Sequence, residues 1–291
     1  MRNPIIRHKF TADPTVLVFR NTVYLYTGHD EAPPGTNKYI MKYWCCFSSD
    51  DMETWREHPM PLKATDFSWA RGDAYASKVI EHDNRFYWFA AVTPKTGSGK
   101  AIAVAVAENP GGPFKDALGA PLITKDVIDP VDAGGDNFDP TVLIDDDGSG
   151  WIFWGKNQCY YARLSENLLA VDGPIKKIIL PEFKEGAHIH KRNGWYYLSY
   201  GYEMPEKVAY AMSRSIHGPW EFKGVLNEVP ANCETNRPAI VDFKGKTLFF
   251  YHNGKLKDGG SHRRSVCVEN LYYNADGTMQ KIIMTDEGVT N

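Results

Sequence analysis

"EFKEGAHIHKRNGWYYLSYG", residues 182–201, decides the fold. Alternating polar and apolar residues run from His188 to Lys191, the pair Asn193-Gly194 supplies a tight turn, and an aromatic run from Trp195 to Tyr200 returns. Such a pattern predicts a two-stranded hairpin. Glu185 stands immediately before its first strand, a charged residue at the mouth of an apolar unit.

The pattern recurs. "DPTVLVFRNTVYLYTGHD" (13–30), "ASKVIEHDNRFYWFAAV" (76–92), "DPTVLIDDDGSGWIFWGK" (139–156) and "PAIVDFKGKTLFFYHNG" (238–254) each place a β-branched strand, a polar turn and an aromatic strand in the same order. Aligned on Val16, Val79, Val142, Ile189 and Ile240, the copies recur every roughly 45 to 65 residues, the span of a four-stranded blade with some long loops. Behind each hairpin comes a further strand and a turn rich in Ser, Asn, Asp and Gly, as in "VAYAMSRSIHGPWEFKG". No long helical period and no Pro/Gly/Ser linker interrupts the series. The expectation is an all-β chain forming a five-bladed β-propeller, one domain over residues 1–291, with the first strand of each unit lining a central channel.

Composition narrows the function. The net charge is -3 with Lys and Arg scattered, which leaves no basic stripe for nucleic acid. No apolar run approaches the ~20 residues of a membrane span, and "MRNPIIRHKFTADP" has no apolar signal core. As it stands the chain reads as cytoplasmic, or as secreted or periplasmic if a leader has been removed. Five cysteines, Cys45, Cys46, Cys159, Cys233 and Cys267, form no C-x-x-C pair and read as small buried hydrophobes.

Equivalent positions at the start of the innermost strands of a propeller lie at one end of its axis. Three residues before the aligned aliphatic stand Asp13, Ala76, Asp139, Gly186 and Arg237, with Glu185 one residue before Gly186. Asp13, Asp139 and Glu185 are therefore expected to converge. Asp-Pro is also an ordinary turn, but three carboxylates at one partly buried end repel each other, a cost a fold tolerates most readily where chemistry uses it. Two carboxyls, one protonated and one ionised, cleave a glycosidic bond, and a third can tune the proton donor. The rival use, calcium ligation by oxygen, finds no support in "DDDG" (145–148), which reads as a solvated turn. His188 and His190 share one strand face beside Glu185, which gives His188 a supporting or pocket-lining place; His29 and His252 stay ambiguous. Most tryptophans are expected to pack between blades. Trp69, in "FSWARGDAYAS", is expected at the entrance to the second unit, where its face can stack on a sugar.

Taken together, "ADPTVLVFRNTVYLYTGHDE", "DPTVLIDDDGSGWIFWG", "EGAHIHKRNGWYYLSYG" and "GPWEFKG" resemble glycoside hydrolase family 43 over roughly residues 8–286. The resemblance implies a five-bladed propeller that inverts the anomeric centre, with Asp13 as general base, Asp139 raising and orienting the acid, and Glu185 as general acid. It implies a sugar contact from Arg264 or its neighbour Arg263; Arg237 joins Trp69, His188 and Arg264 as a substrate-binding candidate. Substrates in the family carry α-L-arabinofuranosyl or β-D-xylosyl units, and "GHDEAP", "QCYYARL" and "HKRNGWYYLSY" resemble the exo-acting members. The implied activity is release of arabinofuranosyl units from arabinoxylan or arabinan, with β-xylosidase action as the alternative and a non-catalytic sugar-binding propeller as the alternative of another class. No cofactor is required by this reading. A structural axial calcium, held in many members by a His at the start of the fifth blade, is put in question by Arg237 and Pro238 in "TNRPAI".

Overall fold

Four of the five repeats turn between their first two strands through a pair of residues that are both left-handed: Arg20-Asn21, Asp83-Asn84, Asn193-Gly194 and Lys244-Gly245. This type I′ geometry matches the twist of the flanking strands and fixes their register. In the opening stretch it sets Ile189 opposite Leu198 and His188 opposite Ser199. The computed structural model describes residues 2–128 and 135–289, and its only helices there are single turns at Ala64–Asp66 and Lys125–Ile128.

Five antiparallel sheets follow one another along the chain. Blade 1 runs outward through Thr11–Phe19, Thr22–His29, Tyr43–Ser49 and Arg56–Glu57. Blade 2 comprises Ser77–His82, Arg85–Pro94, Ala101–Ala107 and Lys115–Asp116, with Ala70–Gly72 added beside Arg85–Pro94. Blades 3 and 4 are Thr141–Ile144, Gly150–Trp154, Cys159–Arg163, Lys176–Ile178 and His188–Arg192, Trp195–Tyr202, Lys207–Ser213, Glu221–Asn227. The innermost strands touch in the cyclic order one, two, three, four, five, one, so the ring closes.

Blade 5 departs from the expected four strands. Among the described residues it has Ala239–Phe243, Lys246–Asn253 and Ser265–Leu271 only. The N-terminal segment lies along that last strand instead: Ile5 N–H donates to Val266 O at 2.9 Å, Thr11 N–H donates to Arg264 O at 2.8 Å, and the Asn3 amide donates to Val268 O at 3.1 Å. Backbone groups that a fourth strand would have satisfied are thus paired by the start of the chain.

The apolar interior is divided into five clusters, one between each pair of neighbouring blades. Trp44 and Trp88 fill the seam of blades 1 and 2, and Trp154 that of blades 2 and 3. All five cysteines are buried and unbridged. The "DDDG" turn is less solvated than expected, because Asp145 pairs with Lys191 and accepts the Tyr196 hydroxyl at 2.6 Å, tying blade 3 to blade 4.

Candidate active site

At the start of three innermost strands the chain takes the same unusual conformation: φ is 51° at Asp13, 52° at Asp139 and 71° at Gly186. For an aspartate followed by proline this left-handed geometry costs on the order of 1–3 kcal/mol. In blade 1 it coincides with a register shift between Ala12 and Thr15, a bulge that re-aims the side chain.

The result is one cavity of about 170 Å³ on the axis, walled by all five blades. Asp13, Asp139 and Glu185 all line it, together with Arg237 and Arg264. Asp13 faces Arg264, with Nη1 2.9 Å from Oδ1. Arg264 is itself clamped by buried Asp30, through Nε to Oδ2 at 2.9 Å and Nη2 to Oδ1 at 3.0 Å, a two-point grip that fixes the guanidinium plane. Asp139 lies 3.2 Å from Arg237 Nη1 and accepts the Gly186 N–H at 2.8 Å. Glu185 has Lys156 Nζ at 3.2 Å. The three carboxyls, which would otherwise repel each other, each have their own cation, which lowers the cost of gathering them.

Their environments still differ. Only 21% of the Glu185 side chain is exposed, and it lines the cavity. Burial, and then the charge of Asp139, push its pKa up to about 7 against the pull of Lys156. Burial raises Asp139 as well, offset first by Arg237 and also by the Gly186 N–H. With a guanidinium and a main-chain donor on it, Asp139 is the better home for negative charge, and Glu185 keeps the proton. The cavity therefore holds a carboxylic acid protonated near neutrality beside a carboxylate paired with a guanidinium, which is the equipment for acid-assisted cleavage of an acetal.

Comparison with known proteins agrees with this arrangement. Residues 1–279 match the sequence profile of Glycosyl hydrolases family 43. The chain belongs to that family.

A curated relative, "Xylosidase/arabinosidase 43A" of Humicola insolens, is 28% identical over 94% of this chain and 97% of its own length. Two solved family 43 structures superpose on it. One is a β-xylosidase/α-arabinofuranosidase from a compost microbial metagenome, in complex with xylotriose in a calcium-free form, with TM-score 0.85, 28% identity and 97% coverage of both chains. The other is an α-L-arabinofuranosidase from Clostridium thermocellum ATCC 27405, with TM-score 0.82, 31% identity, 99% of this chain and 98% of that one.

Within this family 43 propeller, five of the seven residues singled out by sequence come together: Asp13, Asp139, Glu185, Arg237 and Arg264. Between the adjacent arginines it is Arg264 that lines the cavity, while Arg263 bonds the carbonyl oxygens of Asp258 and Pro33 at the surface. Trp69 must be corrected. Its ring packs against the blade 1–blade 2 cluster and Phe67, and its Nε1–H donates to Asp116 Oδ2 at 3.2 Å, outside the cavity lining. Trp69 sits in the turn immediately before the added strand Ala70–Gly72, and its ring is drawn into the seam of blades 1 and 2 rather than over the axis. His188 is also outside the lining. It lies deeper along the axis, where its Nε2 accepts the Ile240 N–H at 3.1 Å and bridges blades 4 and 5. Burial and then Lys78 keep its pKa well below 6.5, so the ring is neutral.

Several lining residues escaped the sequence reading. Tyr39, Tyr75 and Phe138 provide the aromatic faces in place of Trp69; Phe138 adjoins Asp139 in "NFDP" and was the one signal available. Tyr75 and Phe138 stack at 6.0 Å, with Lys156 Nζ 4.4 Å over Phe138. His252, left ambiguous by the sequence, is buried and neutral and accepts the Asp13 N–H on Nδ1 at 3.2 Å. His29 instead contacts the Phe10 carbonyl. Glu206 completes the set. Among the described residues no group of three or more His, Cys, Asp or Glu side chains is placed to hold a metal ion.

Proposed function

We propose that this family 43 glycoside hydrolase is an inverting exo-enzyme that releases α-L-arabinofuranosyl units from arabinose-bearing xylo-oligosaccharides, arabinoxylan or arabinan, with β-D-xylosyl release as the alternative use of the same pocket. The observation that carries the reading is the meeting of Asp13, Asp139 and Glu185 in one small cavity, with Glu185 pushed up to about 7. A cavity of about 170 Å³ walled by all five blades suits one terminal sugar better than an internal stretch of polymer.

In this mechanism Glu185 donates its proton to the glycosidic oxygen as the bond to the leaving group breaks. Asp13, held by Arg264, takes a proton from the water that attacks the opposite face of the anomeric carbon, which inverts the configuration. Asp139 stays ionised against Arg237, keeps Glu185 protonated by its charge, and fixes the backbone beside it through Gly186. The charge on Asp13 rises as Glu185 loses its proton, so the net charge of the site is conserved in the transition state.

The axial calcium of the family resemblance does not fit these residues. Arg237 lines the cavity, and Lys78 stands below it in an axial channel of about 510 Å³ bordered by all five innermost strands. Burial, and then the charge of Arg237, push Lys78 down to about 8. Two basic groups on the axis disfavour a divalent cation there, and no step is routed through one.

The deciding experiment is hydrolysis of 4-nitrophenyl α-L-arabinofuranoside beside 4-nitrophenyl β-D-xylopyranoside by wild type and Glu185→Ala. Faster cleavage of the arabinoside, lost in the variant, supports the reading; a faster xyloside changes the specificity alone. Cleavage of neither, with sugar still bound, would leave a sugar-binding propeller. Proton NMR of the first-formed anomer tests inversion.

A further inference from the structure

The mechanism above uses three of the four carboxyls in the cavity. The fourth, Glu206, stands just before strand Lys207–Ser213 of blade 4, is 2% exposed and lines the same cavity. Each of the other three faces a cation: Arg264, Arg237 or Lys156. Glu206 faces none. Its side-chain contact is the Asn236 N–H, 2.9 Å from Oε2.

That contact is rigid. Asn236 is anchored by its own amide to Asn227 Oδ1 at 2.7 Å and Glu228 O at 3.2 Å, while the Glu206 N–H is bound to Glu234 O at 2.8 Å. Gly201 makes the room: a Cβ there would stand 3.1 Å from the Glu185 carbonyl oxygen and 3.1 Å from Glu206 Cδ. The two acids therefore flank one glycine. Burial, and then the charge of Glu185, hold Glu206 well above the ordinary carboxylate range. With Oε2 already accepting from Asn236, its proton belongs on Oε1, which no protein acceptor meets among the described residues. Because Glu206 lines the cavity, that O–H is open to whatever fills it, and a sugar hydroxyl there can replace water as its acceptor.

The geometry points to Glu206 as a substrate-binding residue, a carboxylic acid whose O–H donates to a ring hydroxyl of the sugar whose glycosidic oxygen Glu185 protonates. This rests on the functional reading above and assigns a specific polar contact to its substrate. A neutral donor suits the place. An ionised carboxylate there would add a further negative charge beside Glu185 with no cation in ion-pair contact of its own, whereas the acid form binds a hydroxyl without changing the charge of the site.

The test compares Glu206→Gln, Glu206→Ala and Glu206→Met with wild type. Each is assayed for kcat and KM on both nitrophenyl glycosides, for affinity toward free L-arabinose and D-xylose by calorimetry, and for thermal unfolding. Glutamine keeps an N–H donor in the same position and is expected to stay within about threefold of wild type in kcat/KM. Alanine and methionine are expected to lose about tenfold or more, chiefly through KM, with a matching loss of free-sugar affinity. Methionine, close to glutamate in length, covers the case in which alanine does not fold. The inference is overturned if a folded alanine or methionine variant binds sugar within twofold of wild type, or if glutamine is as impaired as methionine. Wild type that cleaves neither glycoside but binds sugar in a Glu206-dependent way removes the hydrolytic reading and leaves this contact standing. Active wild type with an equally active methionine variant does the reverse.

Discussion

Asp139 Oδ2 accepts the main-chain N–H of Gly186 at 2.8 Å, so a carboxyl of blade 3 is bonded to the residue that follows Glu185 on blade 4. One side chain thereby sets both the position of the proposed proton donor and, by its charge, that group's readiness to hold the proton. Separating the two effects is possible with an isosteric amide. Asp139→Asn removes the charge, so the Glu185 pKa falls from about 7 and less of it is protonated at neutral pH. The alkaline limb of the pH–rate profile should move to lower pH and the plateau rate drop by roughly 10²-fold or more. A profile with an unmoved limb would remove Asp139 from this role.

Glu185 links activity to stability with a definite sign. Its folded pKa, about 7, is raised above the ordinary 4.5, so the native state binds more protons than the unfolded chain between those values. Stability should therefore be full below about pH 4.5 as far as this group is concerned, and should fall as pH rises toward 7. Glu185→Gln abolishes that loss. Its melting temperature at pH 8 should exceed that of wild type, by roughly 2–4 °C for each kcal/mol recovered, while hydrolysis collapses.

Arg264 sits between two carboxylates, Asp13 in the cavity and Asp30 behind it. Arg264→Ala leaves Asp30, 1% exposed, as a buried charge without a partner, a loss of roughly 3–5 kcal/mol. The double variant Arg264→Met/Asp30→Asn should recover much of that stability in thermal unfolding and none of the activity, because Asp13 remains without its cation.

Chelation offers a simple check on the axis. With Arg237 and Lys78 among its lining residues, the enzyme should keep its rate on the nitrophenyl glycosides within about twofold after dialysis against EDTA. A deep loss restored by calcium and not by sodium would contradict this.

Trp69 belongs to packing rather than to the sugar. Trp69→Ala should lower stability by roughly 1–3 kcal/mol, less than a fully buried tryptophan would cost, and leave KM within about twofold. The converse substitution, Phe138→Ala, should raise KM, since that ring borders the cavity next to Asp139.

Much of this architecture could be read from sequence because the hairpin carries its own signals. Turn pairs such as Asn193-Gly194 accept left-handed backbone, and alternation fixes which residues share a face, so the positions of Asp13, Asp139 and Glu185 relative to the axis followed from counting. Closure of the ring did not follow, because "NPII" has no pattern that names Val266 as its partner. Lys156 and Glu206 sit beyond or between second and third strands. Their reach to the axis depends on blade twist and loop course, which local periodicity does not encode. Trp69 misled for the same reason: an aromatic beside a strand start can turn toward the axis or toward a seam, and only tertiary packing chooses.

The seam where the ring closes has a consequence for when the protein becomes an enzyme. Asp13 and Arg264, 251 residues apart in the chain, meet only after the last blade has folded against the first. During synthesis the proposed base emerges with the first blade and waits, without its cation, until Arg264 of the fifth blade has left the ribosome. The proposed hydrolysis thus awaits the fifth blade, and a chain released before Arg264, whatever blades it has folded, is silent.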